Sequence, residues 1–267
     1  MSPSACLTLD LEPDHAGRAA FSYEGWRPDR LDALMDLLAE FKAPLSAFVV
    51  GRSIEQQPAA IDRMKRRGVE FHLHSYAHRL EEPDSAEEID TGMRVFEASL
   101  GGRPIGYRAP EGRISAAGLK RLAERDFLFD SSVFPSAWPH PRYLRYPRIA
   151  HRAAPANLIE IPIATTGRAR LLVTLSFIKL LGFPLYRRSI RKGGVPDPLV
   201  FDMHLHDLFV LPAYDQLPTF LKVAYSRNRT EGFALLRATL ALLRESGYRF
   251  ETMTAAARSL DQSLPRC

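Results

Sequence analysis

Short apolar runs alternate along the chain with longer segments in which apolar residues recur at helical spacing. Runs of the first kind indicate buried strands, and segments of the second kind indicate amphipathic helices. The predicted strands are 5–11, 45–50, 69–74, 105–110, 127–133, 158–164 and 199–206. The predicted helices are 30–41, 58–68, 85–102, 115–126 and 230–247, with a further helix flanked by basic residues within 168–194.

The regular alternation of strand and helix predicts parallel strands that are joined by right-handed crossovers. Polar residues collect at the C-terminal ends of at least four predicted strands, which favours a barrel-like α/β domain over a doubly wound open sheet. No repeat or linker divides the chain, so we expect a single domain over 1–267. The Pro- and Arg-rich stretch 134–198 is predicted to be a loop-rich insertion within it.

Four clusters of polar side chains follow the predicted strands, and in a barrel these strand ends converge on one mouth. Each cluster alone has a plain interpretation, such as a solvated strand end or a satisfied core histidine. Taken together, the four clusters favour a functional site over four separate structural roles. The clusters are Asp10 with Glu12, His74 with His78, Arg108, and His204 with His206 and Asp207.

One carboxylate and two imidazoles on a common face would give a divalent metal ion three ligands and leave positions open for water and substrate. His74 and His78 are four residues apart, and we expect them to share one face of a helical turn. The remaining carboxylate would serve as general base, oriented by Arg108. His204 is the candidate for protonating a leaving amine.

Composition restricts the classes of partner and compartment. The chain has 267 residues and a formal net charge of +5, but its basic residues form a dense tract only near 187–192, so nucleic acid is not implied. Cys6 and Cys267 do not suggest a disulfide framework, which fits a reducing compartment. The first residues lack the pattern of a signal peptide, and we therefore expect a cytoplasmic protein.

The segment 168–194 has two interpretations. The favoured one is a core helix that ends in a basic, solvated turn. The alternative is an element that lies on an anionic inner membrane face, with apolar residues flanked by arginine and lysine. Such an element would suit a lipid-linked sugar.

The motifs "TLDLEPD", "HSYAH", "YRAP" and "FDMHLH" together resemble the polysaccharide deacetylase family with the NodB homology domain, also called carbohydrate esterase family four. The resemblance spans residues 5 to about 207. It implies a distorted (β/α) barrel that uses one divalent metal ion to remove N-acetyl or O-acetyl groups from sugars.

The resemblance also assigns roles to individual residues. Asp10 stands where the family has its base, and His74 and His78 match the two metal histidines. The family's usual adjacent aspartates are replaced here by Asp10-Leu11-Glu12, which resembles a branch with an Asp-x-Glu first motif. Glu12 is then the metal carboxylate, although the two carboxylates could exchange roles. The family's base-orienting arginine corresponds to Arg108, and its general acid to His204.

Further positions are assigned with open alternatives. Glu111 follows Pro110 where the family often has an aromatic residue, and a backbone N–H there would help to hold the oxyanion. Asp130 is our candidate for the acidic residue that tunes His204, with Asp207 behind it. His206 is assigned as a supporting group or a substrate contact.

We therefore expect a cytoplasmic, metal-dependent deacetylase that acts on an N-acetylated amino sugar in a glycan precursor, a lipid-linked sugar or a glycosylated metabolite. Zinc is the default metal, and manganese, cobalt and nickel would also accept these ligands. One rival hypothesis is a hydrolase of small amides or cyclic imides. The other is a catalytically silent barrel that binds sugars.

Overall fold

The structure, a computed structural model, describes residues 2–14, 22–138, 141–154, 156–219, 222 and 232–265. A strand lies on each predicted apolar run, although several are shorter than predicted, and the structure adds strands over 151–153, 165–166, 171–172 and 249–250. The strands are β1 Ser4–Leu11, β2 Leu45–Val49, β3 Glu70–Leu73, β4 Gly106–Tyr107, β5 Phe129–Asp130, β6 His151–Ala153, β7 Leu158–Glu160, β8 Thr165–Thr166, β9 Leu171–Leu172, β10 Leu199–His204 and β11 Arg249–Phe250.

A helix also lies on each predicted helical segment, and the structure adds helices over 51–56, 205–208 and 253–263, the second of which begins within the predicted strand 199–206. The predicted helix within 168–194 is two helices, because Gly182 adopts a φ of 93° between them. The helices are α1 Pro28–Glu40, α2 Gly51–Gln56, α3 Pro58–Arg66, α4 Ala86–Leu100, α5 Ala116–Glu124, α6 Leu175–Leu181, α7 Phe183–Arg191, α8 Leu205–Leu208, α9 Gly232–Glu245 and α10 Met253–Ser263.

Among the described residues, nine strands form one sheet in the order β10-β1-β2-β3-β4-β5-β7-β6, with β11 paired to the start of β1. All pairs are parallel except β6 with β7, and β8 and β9 form a separate antiparallel hairpin. The sheet is curled into a half-barrel with helices around it, which confirms the predicted distorted barrel and single domain.

The two faces of the curled sheet have different chemistry. On β1, Leu7 and Leu9 face outward into the large apolar cluster formed with the helices, whereas Thr8 and Asp10 lie on the opposite face. This follows from the strand period of two. Burial of each such leucine contributes about 1.5–3 kcal/mol. The outward apolar positions therefore hold the helices, and the inward positions are left for polar groups.

Helix α10 packs against the lower part of the inward face. Met253 and Ala257 join Cys6 and Val200 in a separate apolar cluster there. Polar side chains then follow toward the C-terminal ends of the strands, where Asp10 and His204 lie beside each other in the register of β1 and β10. The interior is thus apolar at one end and polar at the end where a site was expected.

The stretch 134–198 contributes β6 and β7 to the main sheet, together with the β8–β9 hairpin and helices α6 and α7. Within the described residues, no helix combines the length and apolar character needed to cross a membrane.

Candidate metal and acid-base site

Glu12, His74 and His78 lie together beside the ends of β1 and β3. Glu12 Oε2 lies 2.6 Å from His78 Nε2 and 3.9 Å from His74 Nε2, and the two imidazole rings are 5.2 Å apart between centroids. One ligand atom from each of the three side chains falls within 4.8 Å of the others. The predicted trio of ligand candidates is therefore brought together.

The two histidines are not on a helical turn, which corrects the local structure that we expected from their spacing. Ser75 and His78 have positive φ angles of 59° and 57°, so the chain turns sharply rather than coiling. The Ser75 hydroxyl accepts a hydrogen bond from the His78 N–H at 3.1 Å. Glu88, on α4, accepts from the backbone N–H groups of Tyr76 and Ala77. Side-chain hydrogen bonds thus hold a turn that sequence spacing alone did not indicate.

The ring of His74 is oriented by a backbone carbonyl. Its Nδ1 lies 2.7 Å from the Arg108 carbonyl oxygen, an acceptor, so Nδ1 carries the proton and the Nε2 lone pair points toward Glu12. Burial lowers the pKa of His74 to about 4, which keeps the ring neutral. A neutral imidazole whose second nitrogen donates to a carbonyl is the usual form of a metal ligand. The donor set of Glu12, His74 and His78 therefore fits a divalent metal ion such as zinc.

Glu12 and His78 form a close ion pair. Burial alone would lower the pKa of His78, but the Glu12 carboxylate outweighs it and the pKa is raised. Burial would raise the pKa of Glu12, and His78 reverses this so that the pKa is well below its usual range. Glu12 is thus ionised and ready to act as a ligand.

The Arg108 side chain holds two carboxylates, Asp10 and Asp202, next to the group formed by Glu12, His74 and His78. The guanidinium is fully buried, and Nη1 donates to Asp10 Oδ1 at 2.6 Å and to Asp202 Oδ1 at 2.7 Å. Its Nε donates to the Ser131 carbonyl, and its Cζ lies 4.0 Å from the ring centroid of Phe48. The predicted contact of Arg108 with the candidate base is therefore present.

The electrostatics separate the two carboxylates that share Arg108. Burial raises the pKa of both, but Arg108 and the neighbouring histidines bring that of Asp10 below its usual value. For Asp202, burial and the charge of Asp10 dominate, and the pKa rises to about 7. Asp10 is thus the ionised member of the pair, as a general base must be.

Asp202 is a further member of the site that we did not predict from the sequence. It stands two residues before His204 on β10, so the strand period places both on the same face, and its register partner on β1 is Thr8. The Thr8 hydroxyl donates to Asp202 Oδ1 at 2.9 Å. A single charged residue in the apolar run "LVFDMH" was the signal that could have identified it.

His204 lies beside Asp10, on the neighbouring strand β10. Its Nε2 lies 3.9 Å from Asp10 Oδ2, and its Nδ1 lies 3.7 Å from Asp207 Oδ2. Burial lowers the pKa of His204, but Asp207, Asp202 and other carboxylates more than reverse this and raise it to about 10. A bound divalent cation would lower that value again, because it adds positive charge nearby. His204 is therefore able to hold a proton at neutral pH.

Asp130 does not make the contact that we first assigned to it, since Asp207 is the carboxylate beside His204. Asp130 Oδ1 instead accepts from the Ser132 hydroxyl at 2.7 Å, and this hydroxyl in turn accepts from the N–H of Ala109. Asp130 also bonds to the buried Glu160. Burial raises the pKa of both carboxyl groups, and their mutual contact raises that of Glu160 further. Asp130 supports the chain beside Arg108 rather than the acid histidine.

The remaining predicted residues lie at the rim. Pro110 and Glu111 begin a short turn directly after Arg108, and Glu111 has a φ of 51° and an ion pair with Arg113 at 2.9 Å. Glu111 also lines an open cleft of about 570 Å³. The His206 ring stacks on His204 with centroids 4.7 Å apart. The roles assigned to Pro110, Glu111 and His206 stay predictions.

Two other groups of side chains are close enough to hold a cation, namely Asp10, Asp202 and His204, and His204, His206 and Asp207. In the first group, the two carboxylates already accept hydrogen bonds from Arg108 Nη1. In the second, Asp207 Oδ2 already accepts a hydrogen bond from the backbone N–H of His204. The trio of Glu12, His74 and His78 fits a cation best, because two imidazoles face the Glu12 carboxylate there and no guanidinium competes for it.

The known proteins to which this chain is similar include several deacetylases that act on polysaccharides or peptidoglycan, by their descriptions. The family model described as polysaccharide deacetylase matches residues 4–127. A peptidoglycan deacetylase-like protein of Gibberella zeae is 31% identical over 90 residues, which cover 32% of this chain and 27% of the relative. The chain thus spans about a quarter of that relative's length.

Solved structures share the fold across almost the whole chain. A protein of Mycobacterium smegmatis assigned to the polysaccharide deacetylases has a TM-score of 0.61 at 18% identity, covering 100% of this chain and 96% of its own. An allantoinase has a TM-score of 0.65 at 16% identity, and the match covers 97% of this chain and 90% of the allantoinase chain. At these identities the likeness extends to the fold alone.

Proposed function

Because the chain belongs to the polysaccharide deacetylase family, we propose that it hydrolyses the N-acetyl group of an amino sugar in a glycan and uses one divalent metal ion to do so. The observation that carries the proposal is the grouping of Glu12, His74 and His78 beside an Asp10 that Arg108 holds, with His204 next to Asp10. Ligands, a base and an acid around one point are what metal-assisted amide hydrolysis requires.

The metal ion would be held by Glu12, His74 and His78. When bound, such an ion polarises a carbonyl oxygen and lowers the pKa of water, and zinc is the default for one carboxylate with two imidazoles. Manganese, cobalt or nickel would accept the same donors. Within the protein, the Arg108 carbonyl fixes the His74 ring and the Ser75 turn presents His78, so the donors are oriented before any ion arrives.

Asp10 would take the proton from the attacking water. Its Oδ1 is engaged by Arg108 at 2.6 Å, which leaves Oδ2 directed toward His204 and the open site. A carboxylate that is ionised and restrained in this way can act as general base without first rearranging.

His204 would protonate the leaving nitrogen. Asp207 faces its Nδ1, so the proton to be transferred resides on Nε2, which points toward Asp10 and the site. Transfer of that proton lets the amine depart as a neutral group, which is the step that an amide needs most.

We propose an acetylated sugar of a glycan precursor, a lipid-linked sugar or a glycosylated metabolite as the substrate. Support comes from the family and from the peptidoglycan deacetylase-like relative. The cleft lined by Glu111, Tyr143 and Tyr146 adjoins the turn after Arg108 and offers aromatic and charged groups of the kind that sugars contact.

A cytoplasmic location with contact to an anionic membrane face belongs to the same proposal. Leu181 and Leu185 are 39% and 43% exposed at the junction of α6 and α7, and Arg187 and Arg188 follow on the exposed side of α7. Apolar side chains bordered by arginine suit an anionic bilayer surface. Sedimentation with phosphatidylglycerol vesicles at low salt should fall when Leu181 and Leu185 are both changed to serine, and equal sedimentation of both proteins would remove this part of the proposal.

The experiment is acetate release from N-acetylated chitooligosaccharides and peptidoglycan fragments by the zinc-loaded protein. We expect turnover that Asp10→Asn abolishes. Activity on allantoin-like compounds without release of acetate from sugars would favour the amide or imide hydrolase. Metal binding with no turnover on any acylated compound would favour the silent barrel.

A further inference from the structure

Helix α6 contacts the acid side of the site through two polar side chains. Ser176 Oγ donates a hydrogen bond to Asp207 Oδ1 at 2.6 Å, and Lys179 Nζ donates one to the Asp207 carbonyl oxygen at 2.7 Å. The two residues are three positions apart and therefore share one face of the helix. One helix face thus holds both the side chain and the backbone of a single aspartate.

Asp207 is restrained from the other side as well. Its Oδ2 accepts a hydrogen bond from the backbone N–H of His204 at 2.9 Å and faces the ring nitrogen His204 Nδ1 at 3.7 Å. Because Ser176 holds Oδ1, the carboxylate cannot rotate away from His204 without losing a hydrogen bond. A Cβ atom added at Gly232 would come within 2.3 Å of the Asp207 carbonyl, so α9 closes the remaining side.

The burial of Lys179 needs a physical reason. Its side chain is 3% exposed and lies on a helix whose neighbouring positions, Leu175 and Ile178, belong to the apolar core. Burying an ammonium group is costly unless it is paired and hydrogen-bonded. A methionine of similar length would fill the same space without that cost. The bond to Asp207, and the positive charge placed near its carboxylate, are what the lysine supplies there.

These contacts hold the carboxylate beside His204, the proposed general acid. The following inference therefore rests on the proposed deacetylase function. We propose that Ser176 and Lys179 are positioning residues that hold Asp207 against His204, so that His204 keeps its Nε2 proton directed at the leaving nitrogen. In the step concerned, the C–N bond breaks, its electron pair goes to nitrogen, and the His204 proton forms the new N–H bond. Neither residue touches the substrate.

The dependence on the leaving group distinguishes this role from a structural one. An amide nitrogen needs protonation to depart, whereas 4-nitrophenolate leaves an acetyl ester as an anion without it. Ser176→Ala and Lys179→Met should therefore lower kcat on an N-acetylated sugar about tenfold, part of the 10²–10⁴-fold that general acid catalysis contributes. We expect the KM for the sugar and the rate on 4-nitrophenyl acetate to stay close to wild type.

Two matched variants control for the substitutions themselves. Ser189 is on α7 and its hydroxyl bonds to Thr166, away from Asp207, so Ser189→Ala should leave both rates unchanged. Lys65 also donates to a backbone carbonyl, that of Leu100, and Lys65→Met should behave likewise. Equal losses on the amide and the ester in Ser176→Ala and Lys179→Met would overturn the proposal.

A spectroscopic measurement decides the inference separately from the proposed function. In the zinc-loaded protein, long-range ¹H–¹⁵N spectra should show the His204 ring nitrogens shifted by Ser176→Ala and unchanged by Ser189→Ala, with His204→Gln identifying the signals. If wild type releases no acetate from sugars but the His204 signals shift in this pattern, the proposed function fails and the positioning stands. If the His204 signals are the same in all proteins, the positioning is wrong whatever the activity.

Discussion

The two halves of the site are built differently. Glu12, His74 and His78 converge on one point from a strand end and a sharp turn, and one carboxylate oxygen of Glu12 faces both imidazole rings. Asp10 and His204 instead belong to a dense network in which a buried guanidinium and further carboxylates fix each group. In the proposed reaction, the first half would bind the metal ion and the second half would transfer protons.

Arg108 joins the two halves. Its carbonyl oxygen accepts from His74, while its guanidinium holds Asp10 and Asp202. A single residue at the end of a two-residue strand therefore orients a ligand and a base at once. Removing a ligand should therefore disturb binding of the ion alone, whereas removing a network member should disturb proton transfer or stability. The following predictions test that division.

The largest expected effect separates the two carboxylates of the first motif. Asp10→Asn should lower kcat for acetate release by about 10²–10⁴-fold, as expected for loss of a general base, and should keep the bound metal. Glu12→Gln should lose the metal. Acetate assays and elemental analysis of both variants check this, and loss of metal in Asp10→Asn with retention in Glu12→Gln would mean that the roles are exchanged.

The next effect concerns stability. Arg108→Met leaves Asp10 and Asp202 buried without their counter-charge, and we expect the free energy of unfolding to fall by about 3–5 kcal/mol. Urea denaturation measures it. Arg63→Met, which breaks a bidentate pair with Asp32 at the surface, is the control and should cost much less, because solvent screens that pair. Similar losses in both variants would mean that the buried network contributes no more to the free energy of unfolding than a surface ion pair does.

A smaller effect is expected in the turn that presents His78. Ser75→Ala removes the acceptor for the His78 N–H and should weaken zinc affinity about tenfold while leaving the ligands intact. Competition with a chelator measures the affinity. Ser115→Ala removes a comparable hydroxyl at the start of α5 and should leave the affinity unchanged. An unaffected Ser75 variant would show that the turn holds its shape without this bond.

The smallest effect is a change in pH dependence. The folded-state pKa of Glu160 is raised well above its usual range, so the native protein keeps a proton that the unfolded chain loses as pH rises. Glu160 therefore contributes its full stabilisation below the ordinary glutamate pKa. That contribution is lost as the pH rises toward the raised folded-state pKa. Glu160→Gln should therefore gain stability relative to wild type with rising pH, and should lie within about 1 kcal/mol of it in acid. A difference that is constant with pH in urea denaturation would contradict this.

Much of the fold and part of the site followed from sequence patterns. Apolar periodicity located most strands, and the strand ends indicated that Asp10, His74, Arg108 and His204 would meet. The turn at Ser75 was not predictable, because positive φ angles in non-glycine residues depend on tertiary hydrogen bonds rather than on spacing. Spacing suggested a helix there instead.

The supporting groups were harder to predict because they depend on contacts between distant segments. Asp207 replaced Asp130 as the partner of His204 since the short helix after β10 folds back on that ring. Ser176 and Lys179 come from a segment that we expected to be only core or membrane-facing. Nothing in the sequence around α6 indicates that one of its faces reaches Asp207.

The central claim is that Glu12, His74 and His78 hold one divalent metal ion. Elemental analysis of the purified protein after mild chelation and return of zinc tests it most directly, beside a His74→Ala/His78→Ala double variant and a His151→Ala control on β6. We predict about one equivalent of zinc in wild type and in the control, and none in the double variant. Equal zinc in all three proteins, or none in wild type, would contradict the account.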